Sequence, residues 1–316
     1  MKRREFVIAG GAAAASFALP ARAAYPEKPV HYIIAFAPGG ESDIAARLQQ
    51  EVWRKKWPSE LVVESKAGAG GALAWSQLNG FPGDGYTIMG TNLPHIVLQP
   101  LEGNVQYKTD DITNVNFFNY TPDAIVVRNE SPFKTYQDFV AAARARPGTL
   151  NLAGSGTNSA NHAAHARLNA AAKIQTTYVA FKGTGDLVSS LLGGHVDGAI
   201  SYSSLGLAQK SKTRLLAVAT PQRLAYFPDV PTFRELGVDW VDGAYRGVGV
   251  PKSTPEDIRR RVSEMFSEIG RDPEFRRKMT EQGLEIVDIG YDKMAPFMEE
   301  RRKAYLDSAR LLGLLK

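Results

Sequence analysis

Apolar residues fall into short runs along this chain, separated by loops of Gly, Ser, Thr and Asn. Val30 to Ala37 is apolar at most positions, rich in β-branched and aromatic residues, and bounded by Pro29 and Pro38. That pattern predicts a buried strand. Pro38-Gly39-Gly40 is turn chemistry, because Pro presets φ and Gly permits positive φ. Ile44, Ala45, Leu48 and Val52 then recur at helical spacing, so a helix follows at once, with Ser42 or Asp43 as its expected cap. Leu61-Val62-Val63 predicts a second strand, Ala72 to Leu78 a helix behind the glycine loop 68–71, and Tyr86 to Gly90 a third strand ending near Thr91-Asn92. Residues 30–92 thus read βαβαβ, which implies parallel strands joined by right-handed crossovers.

Asp110 to Tyr120 reads as a short strand or a linker, and Asp123 to Arg128 as a strand. Thr135 to Arg144 predicts a helix, Leu150 to Ala153 a strand, and 154–159 a polar glycine loop opening onto a helix from Ala160 to Ala172. The alternation continues with strands at 177–181 and 196–200 around a helix at 187–192, then strands at 214–219 and 248–250. The tail predicts three helices, over 255–269, 273–282 and 293–312, the first opened by Pro255.

The first residues do not fit this alternation. Met1 to Arg4 is basic, Phe6 to Leu19 is apolar, and Ala21-Arg22-Ala23 offers the small residues a signal peptidase needs, so residues 1–23 read as an export leader cut after Ala23. Arg3-Arg4-Glu5-Phe6-Val7 resembles a twin-arginine signal, with an ordinary secretory leader as the alternative. The leader supplies +3 of the chain's +5, leaving +2, too balanced for a nucleic-acid footprint. With no cysteine among 316 residues, thiol catalysis, Cys-ligated metals and disulfides are excluded. No other apolar run reaches 18 residues, so the expected destination is a periplasm or the outside. The length favours two lobes over one domain.

A helix beginning directly after a buried strand points free N–H groups at the carboxyl edge of a sheet, a ready anion site. Ligands of open α/β folds sit at such edges. The loops are not nucleotide fingerprints: Gly68-Ala69-Gly70-Gly71 lacks the G-x-G-x-x-G spacing, and no G-x-x-x-x-G-K-[ST] occurs. Gly40-Glu41-Ser42-Asp43-Ile44 falls one residue short of a nucleophile elbow, and Ser155 lacks that pattern too, so a serine hydrolase is a minor alternative. His162 and His165 share a helix face without a third ligand, so no metal or other cofactor is expected. Asp43 and Asp186 lie in first helical turns, as caps or as acceptors for a ligand donor. Arg246 stands in an apolar stretch, as a structural ion pair or as a carboxylate clamp.

Several motifs together resemble one family. They include Tyr25-Pro26-x-Lys28-Pro29-Val30, Ala37-Pro38-Gly39-Gly40-x-x-Asp43-x-x-Ala46-Arg47, Gly68-Ala69-Gly70-Gly71 and Asp84-Gly85-Tyr86-Thr87. Later come Ser155-Gly156 with Ser159 and His162, Phe181-Lys182-Gly183-Thr184, Leu191-Leu192-Gly193-Gly194-x-Val196-Asp197, and Pro228-Asp229-Val230-Pro231-Thr232. In this order the chain resembles the substrate-binding receptors of tripartite tricarboxylate transporters, the Bug (Bordetella uptake gene) proteins. The resemblance implies an α/β, two-lobed periplasmic binding protein (type II-like), each lobe a mainly parallel sheet flanked by helices. It implies a small carboxylate (a di- or tricarboxylate or related organic acid) held at two loops, here Ala37–Asp43 and Ser155–Ser159, and then handed to a membrane permease. The chain departs from the family's usual residues at Asn158, Asp186, Ser190 and Tyr245-Arg246.

These readings place lobe 1 at 24–123 and 244–316 and lobe 2 at 124–243, in a monomer without catalysis. The expected ligand residues are Phe36, Ala37, Pro38, Gly39, Gly40, Ser42 and Asp43, with Thr91 and Asn92 from the third strand. From the second half come Ser155, Gly156, Thr157, Asn158, Ser159 and His162, then Gly183, Thr184, Asp186 and Tyr202, and finally Tyr245 and Arg246. The alternative from another class is a sensor input that binds the same ligand and hands it to a signalling receptor.

Overall fold

The computed structural model describes residues 25–315, so the leader expected over residues 1–23 lies outside the described residues. The βαβαβ start is present. Strand β1 (Val30–Ile34) leads through α1 (Glu41–Lys56) to β2 (Leu61–Ser65), and then through α2 (Ala72–Trp75) to β3 (Thr87–Leu93). β1 pairs with both β2 and β3 in parallel. The cap of α1 is Gly40, not Ser42 or Asp43. Asp43 instead reaches back, its Oδ2 accepting the Gly39 N–H at 3.0 Å and Arg47 Nε at 3.3 Å. The helix buries Ala45 and Val52 against β1 and partly buries Ile44 and Leu48, the face the spacing predicted.

The stretch 110–120, read as a short strand or linker, and the strand expected over Asp123 to Arg128 form one long strand, β4 (Thr113–Arg128), preceded by a helix, α3 (His95–Glu102). Asparagines interrupt the apolar pattern of β4 and are only partly satisfied inside the fold: Asn116 Nδ2 donates to Ser267 Oγ at 3.1 Å and Asn119 Nδ2 to the Glu285 carbonyl at 2.9 Å, while Asn114 Oδ1 and Asn116 Oδ1 are buried without a protein partner. The second half runs α4 (Tyr136–Ala145), β5 (Asn151–Ser155), α5 (Ala160–Ala172), β6 (Thr177–Phe181), α6 (Thr184–Leu192) and β7 (Gly198–Tyr202). α7 (Ser203–Ala208) and β8 (Thr213–Val218) follow, then β9 (Gly243–Val250), α8 (Glu256–Gly270), α9 (Pro273–Glu281), β10 (Glu285–Ile289) and α10 (Tyr291–Leu311).

The strand order is β2-β1-β3-β9-β4-β7-β5-β6, with β10 and β8 also on β4. Parallel pairing holds within β1–β2–β3 and β5–β6–β7, while every pair made by β4 or β9 is antiparallel. Each lobe therefore has a mixed sheet rather than a mainly parallel one. The two strands that pass between lobes run against their neighbours. The first part of β4 pairs with β9 and β10, and the part from Asp123 onward with β7 and β8. At this passage the Asp123 N–H donates to the Asp242 carbonyl at 3.0 Å.

Separate cores cover the two sheets. Tyr32, Trp53, Phe266 and Phe275 pack in one, and Phe139, Leu152, Phe233 and Trp240 in another. Each such side chain contributes about 1.5–3 kcal/mol by leaving water. These rigid layers hold the loops after β1, β3, β5 and β6 toward one another.

Candidate functional site

The loops after β1 and β6 touch. A Cβ added to Gly40 would lie 3.9 Å from Thr184 Cβ, and one added to Gly183 3.6 Å from Ala37. Pro38 meets Gly185 in the same seam. Gly40 and Gly183 cap α1 and α6, so two helix N-termini face one space from opposite sheets. A second seam joins the glycine loop before α2 to the loop after β5. Gly156 adopts φ +75°, and a Cβ there would stand 2.9 Å from Gly70 Cα. Gln99 Nε2 bridges the seam by donating to the Gly70 carbonyl at 3.0 Å and the Thr157 carbonyl at 3.4 Å. Asn158 Nδ2 donates to Glu102 Oε2 at 2.5 Å.

Between the seams lies a small cavity lined by Phe36, Gly40, Glu41, Ser42, Asn92, His95, Ser155, Thr184, Tyr202 and Arg246. Wider depressions exist elsewhere, such as one beside His31 and Glu64, but those two side chains are half exposed. Only the inter-sheet cavity, among those described, gathers buried charged groups. Arg246 is 3 % exposed and Glu41 7 %. Arg246 Nη1 donates to Asn119 Oδ1 at 3.0 Å and also to Thr121 Oγ1, its Nη2 stands 3.6 Å from Glu41 Oε2, and its guanidinium lies 5.0 Å over the Tyr202 ring. Its Nε has no protein partner. Glu41 takes hydroxyl donors from the other lobe, Thr184 Oγ1 at 2.8 Å and Ser204 Oγ at 3.0 Å.

His95 packs edge-on against Phe36 and Trp75. Burial, reinforced by the Arg246 charge, pushes its pKa down to about 3, so the ring is neutral at ordinary pH. Asp123, buried beneath the passage between lobes, is pushed well above the usual carboxylate range by burial and by Asp242, against the pull of Arg167 and Arg246.

Eight of the expected residues meet at the cavity: Phe36, Gly40, Ser42, Asn92, Ser155, Thr184, Tyr202 and Arg246. Ala37, Pro38, Gly39, Gly156 and Gly183 form the seams around it. Thr91 precedes Asn92 on β3, so strand alternation turns it to the opposite face, where it is buried with its hydroxyl lacking a protein partner. Several expected residues are committed elsewhere. Asp43 holds its own loop. Ser159 caps α5 by accepting the His162 N–H at 3.1 Å, and His162 Nδ1 accepts the Asn158 N–H at 3.1 Å while its ring stacks on Tyr178. Thr157 and Asp186 are exposed, Asp186 because it lies on the outer side of the first turn of α6. Tyr245 neighbours Arg246 on β9, so strand alternation turns it to the opposite face, against Tyr120 and Phe297.

The two serines weighed as nucleophiles are engaged, Ser42 Oγ accepting from Asn92 Nδ2 at 3.2 Å and Ser155 Oγ donating to Asn161 Oδ1 at 2.7 Å. His165 Nε2 lies 2.8 Å from Thr176 Oγ1, and among the described residues no group of three or more His, Asp or Glu could hold a metal. Glu41, His95 and Ser204 were not foreseen. Glu41 in a first turn reads as dipole compensation, and nothing in the sequence pairs it with Thr184 and Ser204, 143 and 163 residues away.

The model for "Tripartite tricarboxylate transporter family receptor" matches residues 45–307. The chain is 29% identical, over all of its length and 99% of the relative's, to the UPF0065 protein in the gbd 5′ region of Cupriavidus necator. It is 30% identical to protein BugT of Bordetella pertussis over 82% of this chain and 81% of that one. Among solved structures, MatC of Rhodopseudomonas palustris with bound malate is similar at a TM-score of 0.84 and 27% identity, covering 90% of this chain and all of that one. The periplasmic binding protein BugD gives a TM-score of 0.85 at 25% identity, covering 92% and 99%. No described helix is long and apolar enough to cross a membrane. The chain belongs to the tripartite tricarboxylate transporter receptor family and has its two-lobed periplasmic binding protein fold.

Proposed function

We propose that the protein is an exported receptor, without catalysis, that captures a small carboxylate between its lobes and delivers it to the membrane permease of a tripartite tricarboxylate-type transporter. The observation that carries this reading is the buried guanidinium of Arg246 facing a cavity shared by two helix N-termini. The malate bound to MatC supports the ligand class. Lobe 1 comprises 24–123 and 244–316 and lobe 2 comprises 124–243. They pivot where β4 and β9 pass between them, near Asp123 and Gly243. The binding contacts come from Gly40, Ser42, Asn92, Ser155, Thr184 and Arg246, with the seams closing over them. Closure excludes water and strengthens the anion contacts, and the permease reads the closed rim of a monomeric receptor.

The test is a thermal-shift series of small mono-, di- and amino-carboxylates, each paired with its neutral amide. A ligand at 100 times its Kd stabilises by about 2.7 kcal/mol, a rise of several degrees for a chain of this size. An acid should raise the melting temperature where its amide does not. If no acid outperforms its amide, the carboxylate-receptor reading fails.

A further inference from the structure

The cavity holds one buried cation, but that cation is not free. Arg246 already faces Glu41, and His95 beside them is neutral. The polar charge of the cavity wall therefore sums to zero, with an acidic end and a basic end. Glu41 and Thr184 line both this cavity and a neighbouring one, whose other walls include Ile44, Val188, Leu205 and Leu284. A carboxylate has about four acceptor sites. Thr184 and Ser204 supply one hydroxyl to each Glu41 oxygen, which leaves capacity on both. The contact to Arg246, 3.6 Å, is longer than a hydrogen bond, so neither charge has its strongest donor–acceptor geometry. Arg246 Nε is a buried donor with no partner.

From this geometry we propose that the site selects a zwitterion, a small carboxylate that also carries an ammonium group, with the carboxylate at Arg246 and the ammonium at Glu41. The inference rests on the carboxylate-receptor reading and narrows it. A simple dicarboxylate would bring a second negative charge toward Glu41 in a place sheltered from water, where like charges are costly. An ammonium there completes the acceptor sites Glu41 has left. The rival role for Glu41 is a latch between lobes, since its hydroxyl partners come from the opposite sheet. A latch helps every ligand by the same factor, whereas a recognition group discriminates among ligands.

Titration calorimetry of the protein with matched sets separates these. Suitable sets are butanoate, succinate, 4-aminobutanoate and 2-aminobutanoate, with aspartate beside its des-amino counterpart succinate. At least one amino-carboxylate should bind tenfold or more tightly than the same skeleton without its ammonium and than the matching dicarboxylate. Glu41→Gln should erase that preference by at least tenfold while binding of succinate holds or strengthens. Ser204→Ala, which removes a latch contact but keeps the Glu41 carboxylate, should weaken all ligands by one common factor and keep the amine preference. Far-UV circular dichroism checks that both variants fold. Succinate binding best in the unaltered protein overturns the inference and leaves the carboxylate-receptor reading standing. So does Glu41→Gln changing all ligands equally, which makes Glu41 a latch. Failure of every carboxylate overturns both.

Discussion

Gly156 offers a way to separate closure from folding. The substitution Gly156→Ala adds one methyl group with two consequences of different kind. The first is local: φ is +75° there, and an Ala in the left-handed region costs about 1–2 kcal/mol wherever the loop keeps its shape. That cost applies to the folded protein whether the lobes are apart or together, so it lowers the melting temperature and leaves affinity alone. The second exists only when the seam is formed. The new Cβ would stand 2.9 Å from Gly70 Cα, a backbone atom that cannot rotate away. Overpacking of this sort costs about 1–3 kcal/mol, and because it penalises only the closed arrangement it appears in full as weaker binding. At 1.4 kcal/mol per factor of ten, Kd should rise roughly 5- to 150-fold. Calorimetric titration of the ligand found in the acid–amide series gives Kd, and denaturation without ligand gives the folding cost. A Gly156→Ala protein with reduced stability and unchanged Kd refutes the claim that this seam closes on binding.

Two further outcomes follow from buried charges. Asp123 holds its proton more tightly in the folded chain than in the unfolded one, because burial raises its pKa. The folded state then binds more protons between the two values, so this contribution to stability is complete below about pH 4 and is lost as pH rises toward the raised value. Asp123→Asn removes that loss; its melting temperature relative to the unaltered protein should climb from pH 4 to pH 8, and a difference that is flat or falls over this range contradicts the assignment. Arg246→Met leaves Glu41 buried without its cation and should cost about 3 kcal/mol in chemical denaturation. Adding Glu41→Gln should recover most of that, and a double variant no more stable than the single one would mean that Glu41 is not held by Arg246.

The parts of the fold legible in the sequence were those where local chemistry and tertiary role coincide. Ala160–Ala172 and Thr177–Phe181 match the helix and the strand expected there to the residue, the helix opening at its Ser159 cap and the strand ending just before the Gly183 loop. β4 was not legible as one strand. Its Asn114, Asn116 and Asn119 break the alternation, and the partners that Asn116 finds in α8 and Asn119 in β10 and β9 come from distant sequence. Pro100 inside α3 hid that helix, and α7 is too short for periodicity to register. At the site, the glycine loops announced themselves through turn chemistry. Arg246 stood out as a cation in an apolar run. Glu41 did not, since an acid in a first helical turn is ordinary and its meaning depends on Thr184, Ser204 and Arg246 arriving from distant sequence.

The position of β9 bears on how the chain is made as well as how it works. β9 lies between β3 and β4, yet it is residues 243–250, long after both neighbours. A nascent chain that has emerged only through lobe 2 therefore presents two raw strand edges, β3 and β4, with nothing to join them. The middle segment, by contrast, starts and ends at one place, where Asp123 and Asp242 share a hydrogen bond, and its sheet needs no later residue. The sheet of the middle segment is therefore complete in the chain before the outer one, which waits for β9 in the last quarter of the sequence. Such a topology delays the native state of the leading segment until β9 joins its two exposed edges.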